Sequence, residues 1–115
     1  SLRSVKLEDV AGNGCMAIAS ALTVNTNTSI RALCLRGNRI DGLTGQALGL
    51  MAKSNPNLDE LLLCHNSLEP EGVSNFSLGL MANRGLRALD LTGNRLDDVS
   101  ISKISNALAY NIAES

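Results

Sequence analysis

The sequence predicts an α/β solenoid: a right-handed coil of β–α units with parallel strands on its concave face and helices on its convex face. Three observations predict it. The strings IRALCLRGNRI (30–40), LDELLLCHNSL (58–68) and LRALDLTGNRL (86–96) begin at intervals of 28 residues, and LRSVKLEDV from Leu2 repeats the same apolar spacing one interval earlier. Self-similarity at a fixed period marks an architecture in which each unit buries its apolar face only against its neighbours. Within each unit an alternating apolar segment gives way to one spaced at three and four, the periods of a strand and of a helix. Finally, 44% of the 115 residues are hydrophobic but only 2% are aromatic, Phe76 and Tyr110. Without large rings, the core has to be aliphatic and repetitive.

The shared pattern is L-x-x-L-x-L-x-x-N-x-L. Its first apolar positions are Leu2/Val5/Leu7, Ile30/Leu33/Leu35, Leu58/Leu61/Leu63 and Leu86/Leu89/Leu91, which divide the chain into units 1–29, 30–57, 58–85 and 86–115. The L-x-L core reads as a short strand whose alternate residues point to opposite faces. The second half of each unit reads as a helix, with inward positions Ala17/Ser20/Val24, Gly45/Leu48/Ala52, Val73/Phe76/Leu80 and Ile101/Ile104/Leu108. Just ahead of these, Thr44, Gly72 and Ser100 are the expected N-caps. A second column, Asn27, Asn55, Asn83 and Asn111, closes each helix with a residue that tolerates the left-handed conformation. Alternation of strand and helix requires parallel strands and right-handed connections. Strands sit about 4.8 Å apart and helices roughly 8–10 Å apart, so the stack bends with its strands inside.

In this pattern and period the chain resembles the leucine-rich repeat family, specifically its ribonuclease-inhibitor-like class of 28-residue β–α units. The resemblance covers essentially the whole chain and is specific for fold, not for function. It implies that Asn38, Asn66 and Asn94 form a ladder satisfying backbone groups where the chain leaves the strand. Val10 and Gly12 depart from the pattern, which predicts a distorted exit loop around Ala11-Gly12-Asn13-Gly14. Neither end carries a polar cap, so the chain reads as a segment of a longer array, its ends covered by flanking repeats or a partner subunit.

The variable positions between the leucines are those free to choose a partner. They form a grid of Ser4/Lys6/Glu8/Asp9, Ala32/Cys34/Arg36/Gly37, Glu60/Leu62/Cys64/His65 and Ala88/Asp90/Thr92/Gly93. Lys6, Glu8, Cys34, Arg36, Glu60, Leu62, Cys64, His65, Asp90 and Thr92 are the candidate protein-binding residues. Leu62 reads as an exposed apolar centre flanked by Cys34 and Cys64 and ringed by Lys6, Arg36, Glu60 and Asp90, the core-and-rim layout of an interface. Four strands offer only about 200 Å² of concave projection, against roughly 800 Å² per partner in a standard interface. A full site therefore needs more repeats, or helices and loops.

Other chemistry is disfavoured. Cys34, Cys64 and His65 lack the further ligand a structural zinc requires, and Cys34 and Cys64 lie on a diagonal too long for an easy disulfide. Cys64 and His65 are sequence neighbours, which on a strand point apart and form no dyad. Glu60 and Asp90 could pair, but an open sheet face forms no pocket. Cys15 reads as a core thiol. No catalytic residue, metal or cofactor is predicted. Asp41, Glu69, Glu71, Asp97 and Asp98 mark an acidic loop edge, with Arg39 and Arg95 pairing locally.

The net charge of −1 gives no field to attract nucleic acid or an anionic membrane. The apolar run from Cys15 to Val24 is too short to span a bilayer, and Glu8 and Asp9 stand where a signal peptide would be basic. Three cysteines without a CxxC fit a reducing, cytoplasmic setting. The sequons Asn27-Thr28-Ser29 and Asn75-Phe76-Ser77 read as unused. The prediction is a non-enzymatic scaffold or interaction module with another protein as partner. The alternatives, by resemblance, are a fragment of a Ran-type GTPase-activating protein or a sensor segment of a nucleotide-binding leucine-rich receptor.

Overall fold

The leucines at alternate strand positions all point the same way, and this fixes how the units stack. The structure, a computed structural model, describes residues 3–9, 14–24, 30–83 and 85–114, with side chains through Tyr110. The elements are β1 (Ser4–Glu8), α1 (Gly14–Val24), β2 (Ala32–Arg36), β3 (Arg39–Ile40), α2 (Gly42–Ser54), β4 (Glu60–Leu62), β5 (Ser67–Leu68), α3 (Pro70–Ala82), β6 (Ala88–Asp90) and α4 (Asp98–Glu114). Strands β1, β2, β4 and β6 form one parallel sheet in that order. Its register carries each strand residue to its counterpart 28 positions on, so that Val5, Leu33, Leu61 and Leu89 stand side by side. Leu33, Leu35, Leu58, Leu61 and Leu63 are fully buried, whereas Leu89 on the last strand and Leu86 and Leu91 flanking it are half-buried. A small parallel sheet of β3 and β5 follows the Asn positions. The sequence reading had only loops there.

Two helix registers differ from expectation. In α1 the buried residues are Cys15, Ala19 and Leu22, while Ala17, Ser20 and Val24 are exposed. Cys15, Ala19 and Leu22 match Thr44, Leu48 and Met51 at a spacing of 29, although β1 and β2 still pair at 28. One residue fewer therefore separates strand from helix in the first unit, and one residue turns a helix by about 100°. Of the distorted loop predicted at 11–14, residues 11–13 lie outside the described residues and Gly14 is the first residue of α1. In α4, Ser100, Ile104 and Ala107 are buried, while Ile101 and Leu108 are 48% and 36% exposed. The positions expected in α2 and α3 are buried.

The helix ends are also built differently. Asp41 Oδ1 accepts from the Thr44 N–H at 2.9 Å, and Asp97 Oδ1 accepts from the Ser100 N–H at 2.7 Å. The N-caps are thus Asp41 and Asp97, with Glu69 before Pro70 in α3, and not Thr44, Gly72 and Ser100. Asn55 (φ −122) and Asn83 (φ −80) are not left-handed. Their buried amides reach back instead to the preceding unit: Asn55 Nδ2 donates to Leu22 O at 3.1 Å and Asn83 Nδ2 to Ala52 O at 2.6 Å. Each satisfies a carbonyl orphaned at a helix C-terminus.

Helices α2 and α3 meet backbone to backbone. A Cβ at Gly45 would stand 2.1 Å from the Gly72 carbonyl oxygen, and one at Gly79 would stand 2.1 Å from that of Gly49. The absence of side chains at these glycines is what lets the two helix backbones touch along the seam.

Gly79→Ala should destabilise the fold by about 1–3 kcal/mol in urea denaturation, because overpacking against a carbonyl outweighs alanine's helix propensity. The caps make a pH prediction. Backbone and side-chain hydrogen bonds with Thr44 hold the Asp41 carboxyl below its ordinary 3.8, and those with Ser100 do the same for Asp97. A depressed folded-state value contributes stability above 3.8 that is lost as pH falls through the folded value. Replacing both by Asn, which caps without titrating, should flatten the fall of the melting temperature below that pH.

Candidate concave binding face

The strand register assembles the outward residues into rows. Ser4, Ala32, Glu60 and Ala88 form one row, and Lys6, Cys34, Leu62 and Asp90 form the next. Glu8 and Arg36 are paired in a third, which Cys64 and Thr92 continue just beyond the ends of their strands. The side chains alternate with the buried leucines because successive strand residues face opposite sides. Leu62 is half-buried and not exposed, since Cys34 is its direct neighbour across the strands.

Charge on this face is graded. Lys6 Nζ lies 3.3 Å from Glu8 Oε1 on the same strand, and Arg36 is exposed beside them. On the last two strands Glu60 of β4 is exposed and Asp90 of the edge strand β6 is half-buried. Asp90 Oδ1 accepts from the Thr92 N–H at 2.9 Å. Hydrogen bonds to the Thr92 side chain and backbone keep the Asp90 carboxyl below its ordinary range. The half-buried Cys34–Leu62 pair separates Lys6 from Asp90 in their row.

Below the strands the chain turns through a column of left-handed residues: Asp9 (φ 52), Gly37 (φ 74), His65 (φ 55) and Gly93 (φ 78). The turns are bonded to one another, Gly37 N–H to His65 O at 3.0 Å and His65 N–H to Thr92 O at 2.8 Å. Large and small side chains alternate along this column. A Cβ at Gly37 would strike the Asp9 carboxylate and one at Gly93 the His65 imidazole. His65 and Cys64 thus belong to a turn, because β4 ends at Leu62, and the strand argument against a dyad does not describe them. The imidazole is instead committed to the space above Gly93.

The Asn positions sit behind the face. The Asn38 N–H donates to Asn66 Oδ1 at 2.8 Å, and the Asn66 N–H to Asn94 Oδ1 at 3.0 Å. Asn66 Nδ2 donates to Leu35 O at 2.9 Å and Asn94 Nδ2 to Leu63 O at 2.8 Å. Each amide closes its own turn onto the preceding unit. Beside them Arg39 pairs with Glu69 of the next unit. Burial pushes the Cys15 thiol up to about 11. Cys34 and Cys64 are free and half-buried. Asn75 Nδ2 donates to Gly42 O at 2.9 Å and Ser77 is buried in α3, so the second sequon faces a helix seam. The first sequon lies outside the described residues. Among the described residues no three His, Cys, Asp or Glu side chains gather as a metal site, and no helix is long and apolar enough to cross a membrane.

Fold and face together define a β–α repeat solenoid whose strand surface carries the variable residues. Comparison with known proteins agrees. The Leucine Rich repeat family model matches residues 82–105. Chicken (Gallus gallus) leucine-rich repeat-containing protein 45 is 34% identical over 72% of this chain and 13% of its own length. Bovine (Bos taurus) NACHT, LRR and PYD domains-containing protein 9 is 31% identical over 89% of the chain and 10% of its own length. The chain therefore spans only about a tenth of these relatives. The solved structure of leiomodin-1 actin-binding site 2 superposes with a TM-score of 0.68 at 17% identity, covering 96% of this chain and 81% of that one. The chain belongs to the leucine-rich repeat proteins.

Asn66→Ala should cost about 2–4 kcal/mol in equilibrium denaturation, since it removes both the oxygen that accepts from the Asn38 N–H and the amide that donates to the Leu35 carbonyl.

Proposed function

We propose that this segment is a non-enzymatic protein-binding module that recognises its partner through the concave face, as a scaffold would. The supporting observation is the row Lys6, Cys34, Leu62 and Asp90, in which structural leucines are hidden and the variable residues of every unit are aligned outward. A complementary partner places an apolar side chain on Cys34 and Leu62, an acidic group toward Arg36 and a basic group toward Glu60 and Asp90. The 28-residue β–α period favours the ribonuclease-inhibitor-like class. Repeats beyond Leu89 and α4, or a partner subunit, cover the half-buried leucines there and enlarge the site. Three free cysteines favour the reducing cytoplasm. Uncharged balance, with a net −1, favours protein over nucleic acid or membrane.

A second reading is a sensor segment within a larger NACHT-bearing protein, favoured by the 31% identity to the bovine relative over 89% of the chain. No comparable observation favours the GTPase-activating alternative. Affinity capture with the wild-type chain, Leu62→Asp and Leu78→Asp separates the faces. Leu62→Asp should weaken binding at least about tenfold with a nearly unchanged melting temperature, and Leu78→Asp on the helical face should bind normally. The reverse pattern, or a collapse of stability in Leu62→Asp, would refute the assignment of the face.

A further inference from the structure

The helical side carries an apolar surface that the concave reading does not use. Solvent-facing helix positions are normally polar, yet Leu43 and Leu78 are each 67% exposed, Val24 is 81% exposed and Leu50 is 48% exposed. They are contiguous. Leu50 and Leu78 flank one groove between α2 and α3, and Val24, Leu43 and Leu50 line the adjoining groove between α1 and α2. Because glycines let α2 and α3 touch along their backbones, Leu50 and Leu78 stand out from a shallow floor. An apolar patch of this kind on a soluble surface marks an interaction site.

The charges at its ends identify the occupant. Lys53 stands at the C-terminal end of the α2–α3 groove, and Glu71 stands beside Leu43 and Gly42 at the opposite end, which Asp41 and the mutually paired Arg39 and Glu69 leave acidic on balance. Among the described residues neither Lys53 nor Glu71 makes a salt bridge. Glu71 sits beside Gly42 at the start of α2, and Gly42 precedes Lys53 by eleven residues, which is about 16 Å of helix. A surface with an apolar middle, a cation at one end and an anion at the other is complementary to itself turned through 180°. We propose that this face docks a second copy of the chain in an antiparallel, twofold arrangement. Lys53 of each copy then meets Glu71 of the other, and Leu50 and Leu78 pack on their counterparts. An isologous contact of this kind closes at two subunits. The three helices span roughly 20 Å along their axes and about 25 Å across, or on the order of 500 Å² in projection. That approaches the roughly 800 Å² of accessible surface per partner of a stable interface, because a corrugated helical face exposes more than its projection.

The test is sedimentation velocity of the chain from about 1 to 200 µM, with Lys53→Glu, Glu71→Lys, the double exchange and Leu78→Asp alongside. All four replace exposed residues, and circular dichroism melts confirm that each folds. The proposal requires a monomer–dimer equilibrium that each single charge change weakens at least about tenfold, that the double exchange restores, and that Leu78→Asp abolishes. It is overturned by a wild-type chain monomeric throughout, by association beyond the dimer, or by dimers indifferent to these substitutions. Stacking through the open faces of β6 and α4 would give that last result.

Discussion

Every feature of this molecule depends on one constraint: a buried side chain must meet its counterpart one repeat away. The sheet keeps this register across all four strands, and the leucines behind it form one continuous aliphatic wall. Leucine alone does not specify register closely, since a shifted aliphatic row still packs. The asparagines add that specificity. Asn38 and Asn66 each pass a backbone hydrogen to the amide oxygen of the next unit, and Asn66 and Asn94 each return a side-chain hydrogen to the previous one. A slip of one residue would bury several polar groups without partners, a cost an aliphatic core does not repay.

A second ladder does for the helices what the first does for the strands. Asn55 and Asn83 bind carbonyls at the ends of the preceding helices, so strand side and helix side are both tied between units by buried amides. The first unit shows what happens where the signature is absent. With Val10 at the Asn position, β1 keeps its register while α1 moves by one residue, exposing Ala17, Ser20 and Val24 and burying Cys15, Ala19 and Leu22. That displacement leaves Val24 on the apolar helical surface.

Period and pattern made the fold legible, because a 28-residue repeat with alternating leucines has one economical way to bury itself. The outward grid was legible for the same reason: what is not leucine on a strand faces away from leucine. Less could be read where a residue's role depends on geometry across units. Asp41 and Asp97 looked like members of a charged rim, and only the helix starts show them as caps. The shared spacing of Asp9, Gly37, His65 and Gly93 was visible, but not that all four are left-handed or that each glycine makes room for the larger residue beside it. The close α2–α3 seam was equally present in Gly45, Gly49, Gly72 and Gly79, obscured because glycine in a helix reads first as a weak point.

The claim that polar ladders set the register of the solenoid is most directly tested by native-state amide hydrogen exchange of the intact chain. The Asn38 and Asn66 amides lie outside the main sheet, in segments that would exchange quickly as ordinary loops. Bonded as described, they should exchange only with the cooperative opening that releases the Leu33 and Leu61 amides. Exchange of the two asparagines at rates typical of exposed loops, with the strand amides still protected, would contradict the account.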